Sequence, residues 1–151
     1  MKLMLDSNIV IDYLKMREPF YAGARKLVLL GFIAEHELWF SSAQANDVFY
    51  TLTGGGKPSL AAQLKKDLRE LRRGVRICGV NEAEFDAALD SPWTDLEDAC
   101  VYQCALKLKA DAIITRNQQD FEKSSMKVFD CDELFAYLAE EKGLTYEEIP
   151  W

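Results

Sequence analysis

Several aspartates fall where the sequence predicts that parallel strands end. Asp6 follows the apolar stretch Lys2–Leu5, and Asp120 comes five residues after Thr115, which closes another apolar stretch. Asp47 lies one to two turns into the helix predicted after the second strand. Because ligands of open parallel sheets bind beyond the carboxyl ends of the strands, we expect these carboxylates to meet at one edge of the sheet.

Two further acids, Asp95 and Asp98, stand three residues apart in the first turn of a predicted helix, so both project from one face. Each acid alone also has a structural explanation. Asp6 would cap a helix, and Asp95 would interact with the helix dipole. Asp47 would lie on a helix surface, and Asp120 would be a turn residue. Together they would repel one another strongly in a cleft, and a divalent cation is the usual relief. Ligands that are all oxygen favour Mg²⁺ or Mn²⁺.

Carboxylates that hold such a cation can position water for in-line attack on a phosphodiester and neutralise the leaving oxygen. This chemistry needs no histidine. The single histidine, His36, precedes the second predicted strand, and we expect it to be an ordinary surface residue. Zinc is not expected, because no Cys-x-x-Cys pair occurs among the four cysteines, which are Cys78, Cys100, Cys104 and Cys131.

The 151 residues suit one domain, which we place at residues 1–142, with residues 143–151 as a C-terminal tail on the surface. Hydrophobic residues make up 49% and charged residues 28%, as in ordinary globular proteins. No apolar run approaches the ~20 residues that span a bilayer. Asp6 and Asp12 interrupt any secretory signal, and unpaired thiols fit a reducing compartment, so we expect a cytoplasmic protein.

The net charge of −7 argues against a protein that grips nucleic acid by overall charge alone. Residues 57–76 are the exception, since their seven basic and two acidic side chains give a local charge of +5. This segment is either a solvated helix face or a surface that follows phosphates. The candidate RNA-binding residues are Lys57, Lys65, Lys66, Arg69, Arg72, Arg73, Arg76 and, near the acids, Arg116.

Strands alternate with helices along the chain, which predicts an α/β fold with a central, mostly parallel sheet of about five strands and helices on both faces. The predicted strands are 2–5, 37–40, 75–80, 111–115 and 127–129. Expected helix caps are Ser42, Asn81 and Thr94, the last in a capping box with Glu97. The triple glycine at Gly54 follows a helix, so it is not a phosphate loop.

Three blocks of the sequence resemble a PIN domain. The blocks are "LMLDSNIVIDYL", "SSAQANDVFYTL" and "DLEDACVYQCALKLKADAIITRNQQDF", and they span nearly the whole chain in the expected order. The third is the most specific, because it combines a helical acid, an Ala-rich helix, a strand, Thr-Arg-Asn and Asp-Phe. The resemblance implies a metal-dependent nuclease on a parallel sheet.

The resemblance also assigns roles residue by residue. Asp6, Asp47, Asp98 and Asp120 match the family's acidic quartet, and Asp6, Asp98 and Asp120 would bind the Mg²⁺ or Mn²⁺ most directly. The family more often has Glu where this chain has Asp47, so we expect Asp47 to complete the shell or hold the attacking water. The residues expected to orient these carboxylates are Ser7, Asn8, Asp95, Thr115 and Asn117.

Small single-domain PIN proteins are very often toxins of bacterial toxin–antitoxin pairs, the VapC-like group. That resemblance implies an endoribonuclease that cleaves RNA, has a small antitoxin as partner and forms a homodimer. One alternative is a PIN-like RNA- or protein-binding module without turnover. Another, a phosphatase of the haloacid dehalogenase type, needs a second Asp two residues after the first, where this chain has Asn8.

Overall fold

The computed structural model describes residues 1–147, which form an α/β/α sandwich. All strand pairs of the central sheet are parallel, and the strand order is β3-β2-β1-β4-β5. This confirms the predicted fold class. The strands are β1 (Lys2–Leu5), β2 (Glu37–Ser41), β3 (Val75–Cys78), β4 (Ala112–Ile114) and β5 (Lys127–Phe129).

Seven α-helices within residues 1–147 cover the two faces of the sheet. They are α1 (Ser7–Leu14), α2 (Tyr21–Phe32), α3 (Ser42–Leu52), α4 (Pro58–Leu71), α5 (Glu82–Leu89), α6 (Leu96–Leu108) and α7 (Cys131–Lys142). A 3₁₀ helix at Gln118–Phe121 was not predicted. None of the helices in this part of the chain is long and apolar enough to span a membrane.

Alternation along the strands divides the core into two layers, because neighbouring side chains of a strand point to opposite faces. Leu3 and Leu5 pack with α1–α4 and α7, whereas Met4 packs with α6 on the other face. All three side chains are fully buried. The short, apolar central strand β1 is therefore held between two helix layers, which is typical of buried parallel sheets.

The strand register brings the carboxyl ends of the three central strands level with one another. Leu5 pairs with Phe40 of β2 and with Ile114 of β4. The next residue, Asp6, donates its backbone N–H to the carbonyl oxygen of Ile114 over 2.9 Å. As a result Asp6 and Thr115 leave the sheet side by side, at the edge where the acids were expected.

Two of the three predicted helix caps need correction. Ser41, not Ser42, caps α3, because its hydroxyl accepts from the N–H of Gln44. Asp95, not Thr94, caps α6. The predicted cap Asn81 is confirmed, since its N–H donates to the Glu84 carboxylate over 2.9 Å.

His36 was expected at the surface but is buried, with 4% of its area exposed. Its ring packs edge-on against Tyr146, and its Nδ1 lies 2.9 Å from the carbonyl oxygen of Glu35. Burial, followed by the charge of the nearby N-terminal ammonium, lowers the pKa of His36. Tyr146 belongs to the predicted tail, of which residues 148–151 lie outside the described part of the chain.

Replacement of Gly31 by Ala should destabilise the fold. A Cβ at Gly31 would stand 2.6 Å from both the carbonyl oxygen of Gly74 and the Cδ1 of Leu38, so backbone must shift. Overpacking of this kind costs about 1–3 kcal/mol. Gly79→Ala is the matched control, because its Cβ would come no closer than 3.7 Å to Asn81, and it should change the free energy of unfolding by no more than about 0.5 kcal/mol. Equal stabilities of the two variants in urea titrations would refute the close packing.

Candidate active site

Asp6 lies at the centre of the candidate site and is held by four hydrogen bonds. Its Oδ1 accepts from the Ser7 N–H (2.6 Å) and the Gln44 Nε2 (2.9 Å). Its Oδ2 accepts from the Asn8 Nδ2 and the Thr115 Oγ1, both over 2.7 Å. These bonds fix the carboxylate at the point where β1 ends and α1 begins.

The environment of Asp6 balances opposing effects on its charge. Only 7% of the residue is exposed, and burial is the largest reason why its pKa is raised. The hydrogen bonds from Thr115 and the Ser7 N–H lower the pKa, while the charge of Asp120 raises it further. A carboxylate offers about four lone-pair sites, so four donors fill them. Direct coordination of a cation by Asp6 therefore requires one donor to move aside.

The raised pKa of Asp98 shows that several acids of the site lie close together. Its pKa is raised to about 7, first by burial and then by the charges of Asp95, Asp6 and Asp120. Asp95 is held at the start of α6, where its Oδ1 accepts from the Asp98 N–H over 3.1 Å. Asp120 comes from the 3₁₀ helix after β4. The structure thus brings together acids that are 114 residues apart in sequence number, from Asp6 to Asp120.

Glu97 is an acid of the site that sequence reasoning missed, because it was assigned to the capping box of Thr94. Its carboxyl group accepts from the Ser7 Oγ over 3.2 Å. Its pKa is raised to about 7, first by burial and then by a hydrogen bond with Asp47 and the charge of Asp47. Glu97 and Asp47 are therefore close enough to share one proton. Asp47 is linked to the site by this hydrogen bond with Glu97.

Gln44 is the second missed residue, since it is fully buried and donates to Asp6. Its spacing from Ser41 is the Ser-x-x-Gln pattern of a capping box, which could have placed it at the amino end of α3. Of the predicted orienting residues, Asn8 and Thr115 contact Asp6 through their side chains, whereas Ser7 does so through its backbone N–H. Asn117 donates its backbone N–H to the Thr115 Oγ1 over 3.0 Å.

The donor set has the chemistry of a site for a hard divalent cation. Six carboxylates gather here, and within residues 1–147 no salt bridge links any of them to Lys, Arg or His; they are Asp6, Asp47, Asp95, Glu97, Asp98 and Asp120. In the same part of the chain, no three Asp, Glu, His or Cys side chains stand close enough together to form a ready-made metal site. The residues therefore suit Mg²⁺ or Mn²⁺ by oxygen donors and excess charge, and side-chain movement must complete the coordination.

A small cleft of about 130 Å³ opens beside these acids. Asp98 and Asp120 line it together with Trp93 and Lys123. The Lys123 Nζ donates to the carbonyl oxygen of Pro92 over 2.6 Å and so stands at the rim. Trp93 stacks on Tyr102 with ring centroids 5.0 Å apart, which gives the cleft a fixed aromatic wall.

The predicted RNA-binding residues are not all at this edge. Arg72 and Arg73 stand just before β3, and the Arg72 Nη1 donates to the Val75 carbonyl, so both lie at the amino ends of the strands, opposite the acids. Arg76 pairs with Glu37 near the same amino ends. The remaining basic residues of this segment are exposed on α4 or just before it, at Lys57, Lys65, Lys66 and Arg69.

Arg116 lies close to the acids but is engaged in a buried ion pair. Its Nε donates to the Asp12 Oδ2 over 2.6 Å, and its Nη2 lies 3.4 Å from the Asp12 Oδ1. Asp12 is fully buried. This pair was not predicted, because neither residue alone signals burial in the sequence.

The raised pKa values predict how stability depends on pH without a cation. In the unfolded chain Glu97 and Asp98 titrate at their ordinary pKa values of 4.5 and 3.8, whereas both reach about 7 in the fold. Between these values the folded state binds more protons, so the free energy of unfolding falls as pH rises from about 4 to 7. After a discount for solvent screening, the loss should be on the order of 2 kcal/mol.

Urea titrations in EDTA at several pH values measure this loss, and Mn²⁺ at pH 8 should restore the stability. The control is the double variant Glu97→Gln/Asp98→Asn, in which the fall in stability should be much smaller. The raised pKa of Asp6 still lowers its stability as pH rises, and the lowered pKa of His36 acts in the opposite direction. A wild-type profile identical to that of the double variant would contradict the crowding of the acids.

Comparisons with known proteins identify the family and the fold. The profile of the PIN domain family matches residues 2–119, which is most of the chain. No curated protein matches.

Solved structures with the same fold include three bacterial complexes. VapBC2 from Rickettsia felis, bound to a promoter DNA fragment, is 18% identical with a TM-score of 0.61, covering 86% of this chain and 98% of its own. VapBC-1 from nontypeable Haemophilus influenzae is 19% identical with a TM-score of 0.61, covering 87% and 99%. A toxin–antitoxin complex from Klebsiella pneumoniae is 22% identical with a TM-score of 0.54, covering 80% and 90%.

At these identities the solved structures establish the fold. The profile match covers β1, the acids of α3 and α6, and β4, which ends at Ile114. On the match to its profile, the chain belongs to the PIN domain family.

Proposed function

We propose that this protein is a metal-dependent endoribonuclease and the toxin of a type II toxin–antitoxin pair. The observation that carries the proposal is the crowding of carboxylates around Asp98, whose pKa is raised first by burial and then by three neighbouring acids. Such crowding is costly unless a divalent cation or a shared proton offsets it. Membership of the PIN family and the likeness to toxin–antitoxin complexes support the choice of substrate and partner.

Each acid has a role that its position supports. Asp98 and Asp120 face the open cleft, and Asp6 is fixed behind them by Thr115 and Asn8. These three carboxylates would hold Mg²⁺ or Mn²⁺. When bound, the cation supplies charge neutralisation for the phosphodiester and a water of lowered pKa.

Glu97 and Asp47 form a pair of carboxyl groups that can accept and release a proton. Two carboxyl groups that share one proton leave one oxygen as an acceptor near neutral pH, which is what a general base requires. The Ser7 hydroxyl, which donates to Glu97, holds that acceptor in place. We therefore assign the attacking water to the Glu97 side of the site, with Asp47 acting through Glu97.

A cleavage assay tests the proposal. Purified protein is mixed with a pool of single-stranded RNA in Mg²⁺, Mn²⁺ or EDTA, beside Asp98→Asn and the exposed control Asp90→Asn. We expect cleavage with either metal, none in EDTA, and loss only in Asp98→Asn. Equal cleavage by all three proteins would indicate a contaminant.

The rival function is a PIN-like binding module without turnover. It predicts RNA or protein binding, no cleavage in any metal, and no saturable cation site. A small antitoxin as partner, a homodimer and a cytoplasmic location are further proposals that rest on the family. Co-purification with the product of the neighbouring gene and the mass of the complex in solution would test the first two.

A further inference from the structure

A second cavity of about 230 Å³ lies between the beginnings of α2 and α7. Phe20, Arg116, Asp130 and Asp132 are among its lining residues. The cavity is joined to the candidate active site by a short chain of hydrogen bonds. The Arg116 N–H donates to the Asn8 Oδ1 over 3.2 Å, and the Asn8 side-chain amide donates to Asp6.

One wall of the cavity combines an aromatic ring with a fixed guanidinium. Phe20 is 43% exposed, although it is large and apolar. The Arg116 guanidinium lies 4.2 Å from the centre of the Phe20 ring. Its ion pair with Asp12 uses Nε and Nη2, which leaves Nη1 outside the pair. An exposed ring and a planar guanidinium are the groups on which proteins stack single-stranded RNA bases.

The other wall offers hydrogen-bond acceptors. Asp130 and Asp132 stand at the start of α7, and Asp130 uses its Oδ1 to accept from the Glu133 N–H. The charge of Arg116 is already matched by Asp12, so these two carboxylates give the cavity an excess of negative charge. A phosphate would be repelled, whereas a base with N–H donors is favoured.

We propose that this cavity binds the base next to the cleaved phosphate and that guanine fits it best. Guanine presents adjacent N1–H and N2–H donors for a carboxylate, and O6 and N7 acceptors for an arginine N–H. Its ring would stack on Phe20. The inference rests on the proposed ribonuclease function, which it extends from RNA in general to single-stranded RNA with a base preference at the cut.

Sequencing of the cut ends from a random single-stranded RNA pool tests the inference. The wild type should favour guanine at one position beside the cut, and Phe20→Ala and Asp130→Asn/Asp132→Asn should reduce that preference roughly 5- to 100-fold. Phe20→Trp should retain it. Asn at position 130 still caps α7. Phe85→Ala is the matched control, since Phe85 is also 43% exposed but lies on α5.

An unchanged base preference in Phe20→Ala and in the double variant would overturn the base site and leave the ribonuclease proposal intact. If the wild type cuts no RNA, the ribonuclease proposal fails, and the cavity is then judged by binding. Guanosine should shift the amide NMR signals of Gly23 and Cys131, and cytidine should not. Shifts caused only by N-acetylarginine amide would overturn the base site in favour of a cation pocket for a protein partner.

Discussion

Asp6→Asn should lower metal-dependent RNA cleavage by on the order of 10³-fold, the largest effect expected of a single substitution here. The replacement removes the charge that lies behind Asp98 and Asp120. It also turns one acceptor oxygen into an NH₂ group, which must face either the pair Ser7 and Gln44 or the pair Asn8 and Thr115. Every one of those partners is a donor, so the amide cannot preserve the geometry.

The variant should nevertheless fold. One mismatched buried polar group costs about 1–3 kcal/mol, against a typical total of about 5–15 kcal/mol. Asp86→Asn is the control, because Asp86 is an exposed acid of α5 outside the site, and it should keep both stability and cleavage. Cleavage rates and urea titrations on the same preparations separate the two effects. A folded Asp6→Asn that cleaves at the wild-type rate would refute the role of Asp6.

Arg116→Ala should destabilise the fold by about 3–5 kcal/mol, because it leaves the fully buried Asp12 carboxylate without its main partner. Arg17 is the other cation near Asp12, but its Nη1 is 3.9 Å away and its side chain is 55% exposed. The control is Arg73→Ala, which removes an exposed pair with Glu70 and should cost at most about 1 kcal/mol.

A double variant shows whether the unpaired charge causes the loss. In Asp12→Leu/Arg116→Met both charges are replaced by apolar groups, and much of the stability should return, because the large penalty comes from leaving one buried charge alone. Urea titrations of the four proteins measure the free energies of unfolding. If Arg116→Ala were as stable as Arg73→Ala, the fold would not depend on the ion pair between Arg116 and Asp12.

The sheet and the position of the acids could be predicted from sequence because they depend on local patterns. Short apolar strands alternate with longer helices, and each strand of a parallel sheet delivers its next residue to the same edge, which is why Asp6 and Thr115 were expected to meet.

What sequence reasoning missed depends on contacts between distant segments. Glu97 has the spacing of a capping residue, and only the packing of α6 against the start of α1 turns it toward Ser7 and Asp47. The partner of Asp12 lies 104 positions away, so no local pattern indicates that it is buried. A surface position was expected for His36 because histidine is polar. In the structure the chain after α7 covers its ring, since Tyr146 packs against it.

Direct titration with Mn²⁺ tests the central claim most sharply, because it does not depend on finding the correct RNA. Calorimetry at pH 7 in two buffers of different ionisation enthalpy measures both the affinity and the protons released. We expect saturable binding with proton release from carboxyls whose pKa lies near 7, and loss of that binding in Asp6→Asn. Absence of saturable binding by the wild type, or equal binding by Asp6→Asn, would contradict a metal-dependent active site at this edge of the sheet.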